Sequence, residues 1–279
     1  MILGNSIPDT SISARYFPAG ALVSDDLTLG LEPREHTRVQ WPPGAQTIAT
    51  TLDIVTMGWG GFLPRVGALL SLSGVPVGLK VVVVGIDLDG NIVDLGGNSQ
   101  TQRTVRMVDG SIGLYWLFGI GLPQLDGYIV SFYNDVSGHT YFAANALFEI
   151  GFLNLAPGAT LPHEPSGDFG RTPIRKMVRK LGGGVSSTTQ TSYRTMSVRP
   201  SASLVAKARA NGLDNGMDYE SLLFVLANNP YVLVIEDTSS ADAIQRSGMF
   251  GICANSPSMT RRARPSFQMG VLDLEEIPP

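Results

Sequence analysis

Between residues 37 and 155 the apolar positions come in short runs rich in β-branched and aromatic residues, and turn-forming residues separate the runs. That pattern predicts strands rather than helices. The first run, Thr47-Ile48-Ala49-Thr50-Thr51-Leu52-Asp53-Ile54-Val55, breaks at Gly58, Gly60 and Gly61 around Trp59. The clearest signal spans 79–95, where an apolar strand, the turn Asp87-Leu88-Asp89-Gly90-Asn91 and a second strand follow one another. Asp-Gly between β-prone runs marks a hairpin, because both residues tolerate the backbone that a tight turn needs. Further strands are predicted at 102–108, 111–119, 127–133 and 146–155. No amphipathic helix of ordinary length fits before residue 160, so residues 46–156 are expected to form a β-sandwich or jelly roll.

The pattern changes on either side of that block. Residues 1–45 contain Pro18, Pro33, Pro42 and Pro43 and predict an extended N-terminal arm able to drape over a neighbouring subunit. Residues 157–170, with Pro157, Gly158, Pro162, Pro165, Gly167 and Gly170, predict a linker, since proline removes donors and glycine weakens both regular structures. Residues 171–279 are expected to form a small α+β domain. Its elements would be an alternating strand at 193–199, a helix at 204–210 capped by Ser201 or Ser203, and a helix at 219–226 stopped by Asn228-Asn229-Pro230. A buried strand at 231–235 and a final alternating strand at 267–274 complete it. The expected fold class is therefore mainly β, a sandwich followed by a small α+β domain.

Composition narrows the class. Hydrophobic residues make up 43% of the 279 residues, enough apolar surface to offset ordering entropy, so a disordered chain is excluded. The longest apolar run, Val81-Val82-Val83-Val84-Gly85-Ile86, ends at Asp87. A membrane-spanning helix needs about 18 such residues, so no membrane span is expected. The opening Met1-Ile2-Leu3-Gly4-Asn5 lacks the basic start and long apolar core of a secretory signal. Charged residues are only 16%, where about 25% is usual. A chain so poor in charge is expected to cover part of its exterior against other subunits. The net charge of −4 argues against a whole-protein field for nucleic acid, and no nucleic-acid specificity is expected. The charge is unevenly placed: residues 1–160 hold 7 basic and 13 acidic side chains, and residues 161–279 hold 13 and 11. The single cysteine, Cys253, excludes an internal disulfide, fits folding in a reducing cytoplasm and reads as a small buried hydrophobe.

No catalytic constellation emerges. His36, His139 and His163 have no ligand spacing, and His163 falls in the proline-rich linker. Asp87, Asp89, Asn91 and Asp94 superficially resemble a calcium loop, but the sixth-position glycine and twelfth-position glutamate are missing and the turn explains them. Glu164 and Asp168 share a linker with nothing to fix their separation, and Gly182-Gly183-Gly184 lacks the lysine and helix of a phosphate loop. The chain is thus expected not to be an enzyme and to carry no cofactor or metal. The basic cluster Arg171, Arg175, Lys176, Arg179 and Lys180 has no interleaved aromatics for base stacking and points to subunit contact. Trp59 and Trp116 are candidates for stacking on a sugar, with Asp87 and Asp135 accepting from its hydroxyls; aromatics flanked by leucine and glycine also suit a sandwich core.

Three stretches carry a resemblance. Leu79-Lys-Val-Val-Val-Val-Gly-Ile-Asp87 with its hairpin, Tyr115-Trp-Leu-Phe-Gly119 and Phe148-Glu-Ile-Gly-Phe-Leu-Asn-Leu155 resemble a galactose-binding-like jelly roll. Lys180-Leu-Gly-Gly-Gly184 before Tyr193-Arg-Thr-Met-Ser-Val-Arg199, and the terminus Phe267-Gln-Met-Gly-Val-Leu-Asp-Leu-Glu-Glu-Ile277, are similar to modules of tail proteins of long-tailed bacteriophages. The resemblance implies a distal-tail or baseplate structural protein, a homo-oligomeric ring of threefold or sixfold symmetry joining the tail tube to the host-facing tip. Its implied partners are tail tube, hub and tape-measure proteins, and its implied location is the virion tail, after assembly in the host cytoplasm. The alternative is a carbohydrate-binding module that recognises host-surface glycans.

Overall fold

The computed structural model describes residues 1–5, 12–17, 22–24, 37–41, 47, 50–96, 101–107, 110–161, 168–179, 185–200, 203–204, 213, 218–229, 231–255, 258–261 and 266–277. In chain order the strands begin with β1 (Ile2–Asn5), β2 (Ile12–Phe17), β3 (Leu22–Ser24), β4 (Thr37–Gln40), β5 (Thr51–Phe62), β6 (Pro64–Leu72), β7 (Leu79–Asp87) and β8 (Ile92–Val93). There follow β9 (Thr101–Arg103), β10 (Val105–Arg106), β11 (Ile112–Leu117), β12 (Leu125–Val136), β13 (Leu147–Ile150), β14 (Phe152–Thr160), β15 (Asp168–Arg179) and β16 (Val185–Val198). The last are β17 (Ser203–Leu204), β18 (Tyr231–Ile235), β19 (Gly248–Cys253), β20 (Met259–Arg261), β21 (Ser266–Met269) and β22 (Leu272–Glu276). Among the described residues there are two helices, α1 (Tyr219–Asn228) and α2 (Ala241–Ser247). The protein is mainly β, and its paired strands are antiparallel.

The apolar run and hairpin predicted over 79–95 become β7 and β8. Leu79, Val81 and Val83 are buried while Lys80, Val82 and Val84 are half-buried, so one face of β7 supplies core. Asp87 organises the turn: one carboxylate oxygen accepts from the Asp89 and Asn91 backbone N–H groups at 2.9 and 2.7 Å, and Gly90 takes a φ of +82°. The Asn91 backbone and side-chain hydrogen bonds hold the Asp87 carboxyl below its ordinary value of 3.8. The folded state therefore takes up this proton less readily than the unfolded chain. Its contribution is present above the ordinary value and lost as pH falls through the lowered one. Asp87→Ala is expected to speed amide exchange at Asp89 and Asn91 at neutral pH while Val83 stays protected. The wild-type turn should open in the same way only on acidification, and hydrogen-exchange NMR checks both.

A seven-stranded sheet, β3-β2-β5-β12-β7-β8 with β9 also on β7, faces the β10-β11-β6-β14 part of a ten-stranded sheet. The main core lies between them, built from Leu52 and Ile54 of β5, Leu69 of β6, Leu79, Val81 and Val83 of β7, Trp116 of β11, Tyr128, Val130 and Phe132 of β12 and Leu153 of β14. This is the β-sandwich that the pattern of runs predicts.

The ten-stranded sheet continues past the sandwich in the order β10-β11-β6-β14-β1-β18-β19-β22-β16-β15. The expected N-terminal arm is corrected here: Ile2–Asn5 forms β1, hydrogen-bonded to β14 on one side and β18 on the other, and so joins the two parts of the sheet. β2 and β3 extend the seven-stranded sheet, β4 pairs with β13, and Trp41 is fully buried against Phe142. The expected linker also shrinks, because β14 runs through Pro157 to Thr160 and β15 starts at Asp168; residues 162–167 lie outside the described residues. Pro157 is accommodated at a register shift, where the ladder does not need its missing N–H.

In the second part of the sheet, β18 and β19 are covered on both faces. On one, Tyr219, Leu222 and Leu226 of α1 pack on Val232, Val234, Met249 and Leu274. The α1 N-cap, Asp218, accepts from the Ser221 N–H at 2.6 Å, and the helix ends at Asn229 as the sequence predicts. On the other face the sheet curls back, so that Phe250 of β19 stacks on Phe152 of β14 at 4.1 Å and Ile244 of α2 joins the same cluster. Gly248 permits the approach, since a Cβ there would lie 2.3 Å from the Tyr115 ring. The predicted strand 267–274 is two strands: β21 pairs in a three-stranded sheet with β17 and β20, and β22 belongs to the ten-stranded sheet. The helix predicted at 204–210 lies outside the described residues save Leu204, which is in β17. Among the described residues no helix is long and apolar enough to cross a membrane.

Candidate functional site

The four residues proposed for a sugar do not converge. Trp116 is fully buried in the sandwich core, where its ring lies over Gly67; a Cβ on Gly67 would come within 3.1 Å of it. No ring face is left for a ligand, so Trp116 is corrected from candidate contact to core. Asp87 sits opposite Leu125 at one end of β12, whereas Asp135 is ten residues further along the same strand. At about 3.4 Å per residue they are roughly 34 Å apart, too far for one sugar. Asp135 is itself buried, with one oxygen 3.3 Å from the Arg103 guanidinium and the other accepting from the Gly138 N–H at 2.6 Å. Trp59 lies in β5, near the end of the sandwich that also holds Asp87; its side chain lies outside what is described.

That end carries an apolar cleft of about 210 Å³, lined by Leu63, Pro64, Arg65, Ile120, Leu122 and Gly158 among others. Leu63 and Ile120 are exposed at its rim. The Arg65 guanidinium donates to the Phe118 carbonyl and thereby ties the β5–β6 turn to the end of β11. The cleft can take an apolar group, and Arg65 is the ionisable side chain in its wall.

The basic cluster is better defined. Arg171, Arg175, Lys176 and Arg179 all lie in β15, the outermost strand of the ten-stranded sheet; Lys180 lies outside the described residues. β15 pairs with β16 from 168/197 to 179/185, while β22 pairs with β16 only over residues 195–198. From residue 194 back to 185, β16 and its partner β15 therefore continue as a two-stranded ribbon with no third strand among the described residues. Arg171 is exposed and donates to Ser192 Oγ at 3.2 Å.

Arg194, directly opposite Arg171, fixes the root of this ribbon. Its Nε donates to Glu276 Oε1 at 2.8 Å, its Nη2 lies 2.7 Å from the same oxygen, and its backbone N–H donates to Glu276 Oε2 at 2.8 Å. The guanidinium also donates to the Gly248 carbonyl and, at 3.3 Å, to the Arg246 carbonyl. The ribbon is thus clamped to β22, to the start of β19 and to the end of α2. Sequence reasoning misses this residue, because an arginine in an alternating strand reads as solvated and its partner is 82 residues away. Gln245 is missed for the same reason: its amide donates to the Tyr115 carbonyl and accepts from the Tyr115 N–H, both at 2.7 Å. The composition of the ribbon is accessible by counting, since residues 171–193 hold five basic and no acidic residues.

Two further titratable groups are shifted by burial. Burial pushes the Cys253 thiol up, which keeps it protonated against Asn255. Burial likewise raises the Asp53 carboxyl, opposed by hydrogen bonds from Ser131 and Thr51. Among the described residues no group of three or more His, Cys, Asp and Glu side chains is placed to hold a metal ion. Searches among family models, curated proteins and solved structures found no match to this chain.

Proposed function

We propose that the protein is a structural component of a phage tail tip or baseplate, assembling into a symmetric ring that links the tail tube to host-facing components. The observation that carries this reading is a single sheet that runs through both parts of the chain and, among the described residues, ends in a two-stranded ribbon. A two-stranded ribbon in water is at best marginally stable by itself, so its place is against a neighbouring subunit. The low charge content supports the same reading, as does the sequence resemblance of residues 180–184, 193–199 and 267–277 to modules of phage tail proteins. The test is negative-stain electron microscopy of the purified chain together with immunogold labelling of particles. Threefold or sixfold rings and label at the tail tip are expected; a strict monomer with no label on tails overturns the reading.

A second reading, a module for host-surface glycans, draws on the cleft between Leu63 and Ile120 at the Trp59 end of the sandwich. It expects glycan-array binding that Trp59→Ala abolishes, and a flat array counts against it.

A further inference from the structure

We propose that the β15–β16 ribbon is the arm by which one copy of this chain holds the acidic body of the next, head to tail. The inference rests on the ring reading above and names the surface that would build the ring.

Geometry comes first. Residues 185–194 of β16 lie beyond the last pair with β22 and are matched only by β15 among the described residues. Ten residues at about 3.3 Å each make an arm of roughly 33 Å. The outer edge of β15 pairs with no strand among the described residues, so its backbone can accept a further strand. Pro173 is tolerated there because an edge strand can do without one donor.

Charge then selects the partner. Residues 171–193, the ribbon beyond the Arg194 root, carry a charge of +5 with no acidic residue, in a protein whose net charge is −4; the remaining chain has 15 basic and 24 acidic residues, a net of −9. Exposed Asp89, Asp94, Glu220 and Asp237 belong to that acidic remainder. Two ribbons laid side by side about a twofold axis would oppose like charges, which is unfavourable at the spacing of paired strands. A ribbon laid on the body of another copy opposes unlike charges, which raises the association rate and fixes orientation. Such a contact uses two different surfaces, and contacts of that kind generate closed rings when the rotation between subunits closes.

The experiment uses the full chain. Sedimentation velocity of the wild type at low salt, and at ~1 M salt where the screening length is about 3 Å, is compared with the triple variant Arg175→Glu, Lys176→Glu, Arg179→Glu. Circular dichroism establishes that the variant is folded, and the neutral triple variant Arg175→Gln, Lys176→Gln, Arg179→Gln replaces it if it is not. The wild type should self-associate at low salt and dissociate at high salt, and the variant should associate about 100-fold more weakly. Carbodiimide, which joins an amine to a carboxylate in direct contact, should link Lys176 of one copy to an aspartate or glutamate of another in a mixture of isotopically light and heavy protein. Rings that survive the triple substitution overturn the arm and leave the ring reading standing; a wild type that is monomeric at every salt concentration overturns both. A monomer whose ribbon instead binds a labelled single-stranded oligonucleotide, and loses it in the triple variant, overturns the proposal in favour of a polyanion-binding arm.

Discussion

Replacing Trp116 with alanine is expected to lower the unfolding free energy by about 3–5 kcal/mol, the range for emptying a large aromatic site in a core. The side chain is fully buried, and its position across from Gly67 is what lets the indole lie flat against the neighbouring strand. Leu155 closes the other side of that glycine, so a Cβ on Gly67 would also fall within 3.3 Å of it. Little nearby can collapse into the space, because the surrounding core residues belong to strands pinned on both sides. The indole Nε1 finds no acceptor among the described residues, so tryptophan here bears the cost of a buried donor without a partner. Trp116→Phe removes that donor and keeps most of the ring, and it is expected to cost less than about 1.5 kcal/mol. Urea denaturation followed by far-ultraviolet circular dichroism measures both. Equal losses in the two variants would show that the indole NH has an acceptor and is itself stabilising.

Arg194→Met is expected to cost about 2–4 kcal/mol, because it leaves the Glu276 carboxylate without its cation and takes one donor from each of the Gly248 and Arg246 carbonyls. The side chains of Arg194 and Glu276 are 22% and 11% exposed, so water screens the pair only in part. Arg194→Lys should recover less than half of the loss, since an ammonium cannot serve Glu276, Gly248 and Arg246 with one planar fork. Adding Glu276→Gln to Arg194→Met should recover part of it by removing the unpaired charge. The loss should also be local: amides of residues 185–193 should exchange faster in Arg194→Met while those of β18 keep their protection. A uniform change across the protein would mean that Arg194 does not anchor the ribbon.

The sandwich was legible because its strands are half-buried. One face of β7 had to be apolar and the other could be polar, and the turn at 87–91 needed residues of a particular backbone preference, so both left a local signature. Strand 231–235 and helix 219–228 were legible for the same reason, the first as an unbroken apolar run and the second through the buried spacing of Tyr219, Leu222 and Leu226. β1 was not, because four residues with one glycine carry no periodicity, and they become a strand only where β14 and β18 leave a gap of one strand's width. The proline-rich stretch after residue 156 misled for a related reason: Pro157 breaks an isolated strand but sits without penalty at a shift in an existing ladder.

The candidate surfaces divide in the same way. The sequence by itself determined that the fold is mainly β, the hairpin at Asp89-Gly90 and the position of the basic cluster in the chain, since each depends on residues close together. Only the tertiary structure decided that Trp116 is core, that Asp87 of β7 and Asp135 of β12 lie at opposite ends of a paired ladder, and that Arg171, Arg175, Lys176 and Arg179 share the outermost strand among the described residues. Those outcomes depend on which strands become neighbours. Pairing across 82 residues, as between Arg194 and Glu276, is set by the sum of many weak contacts along the ladder and leaves no mark on either residue's local sequence.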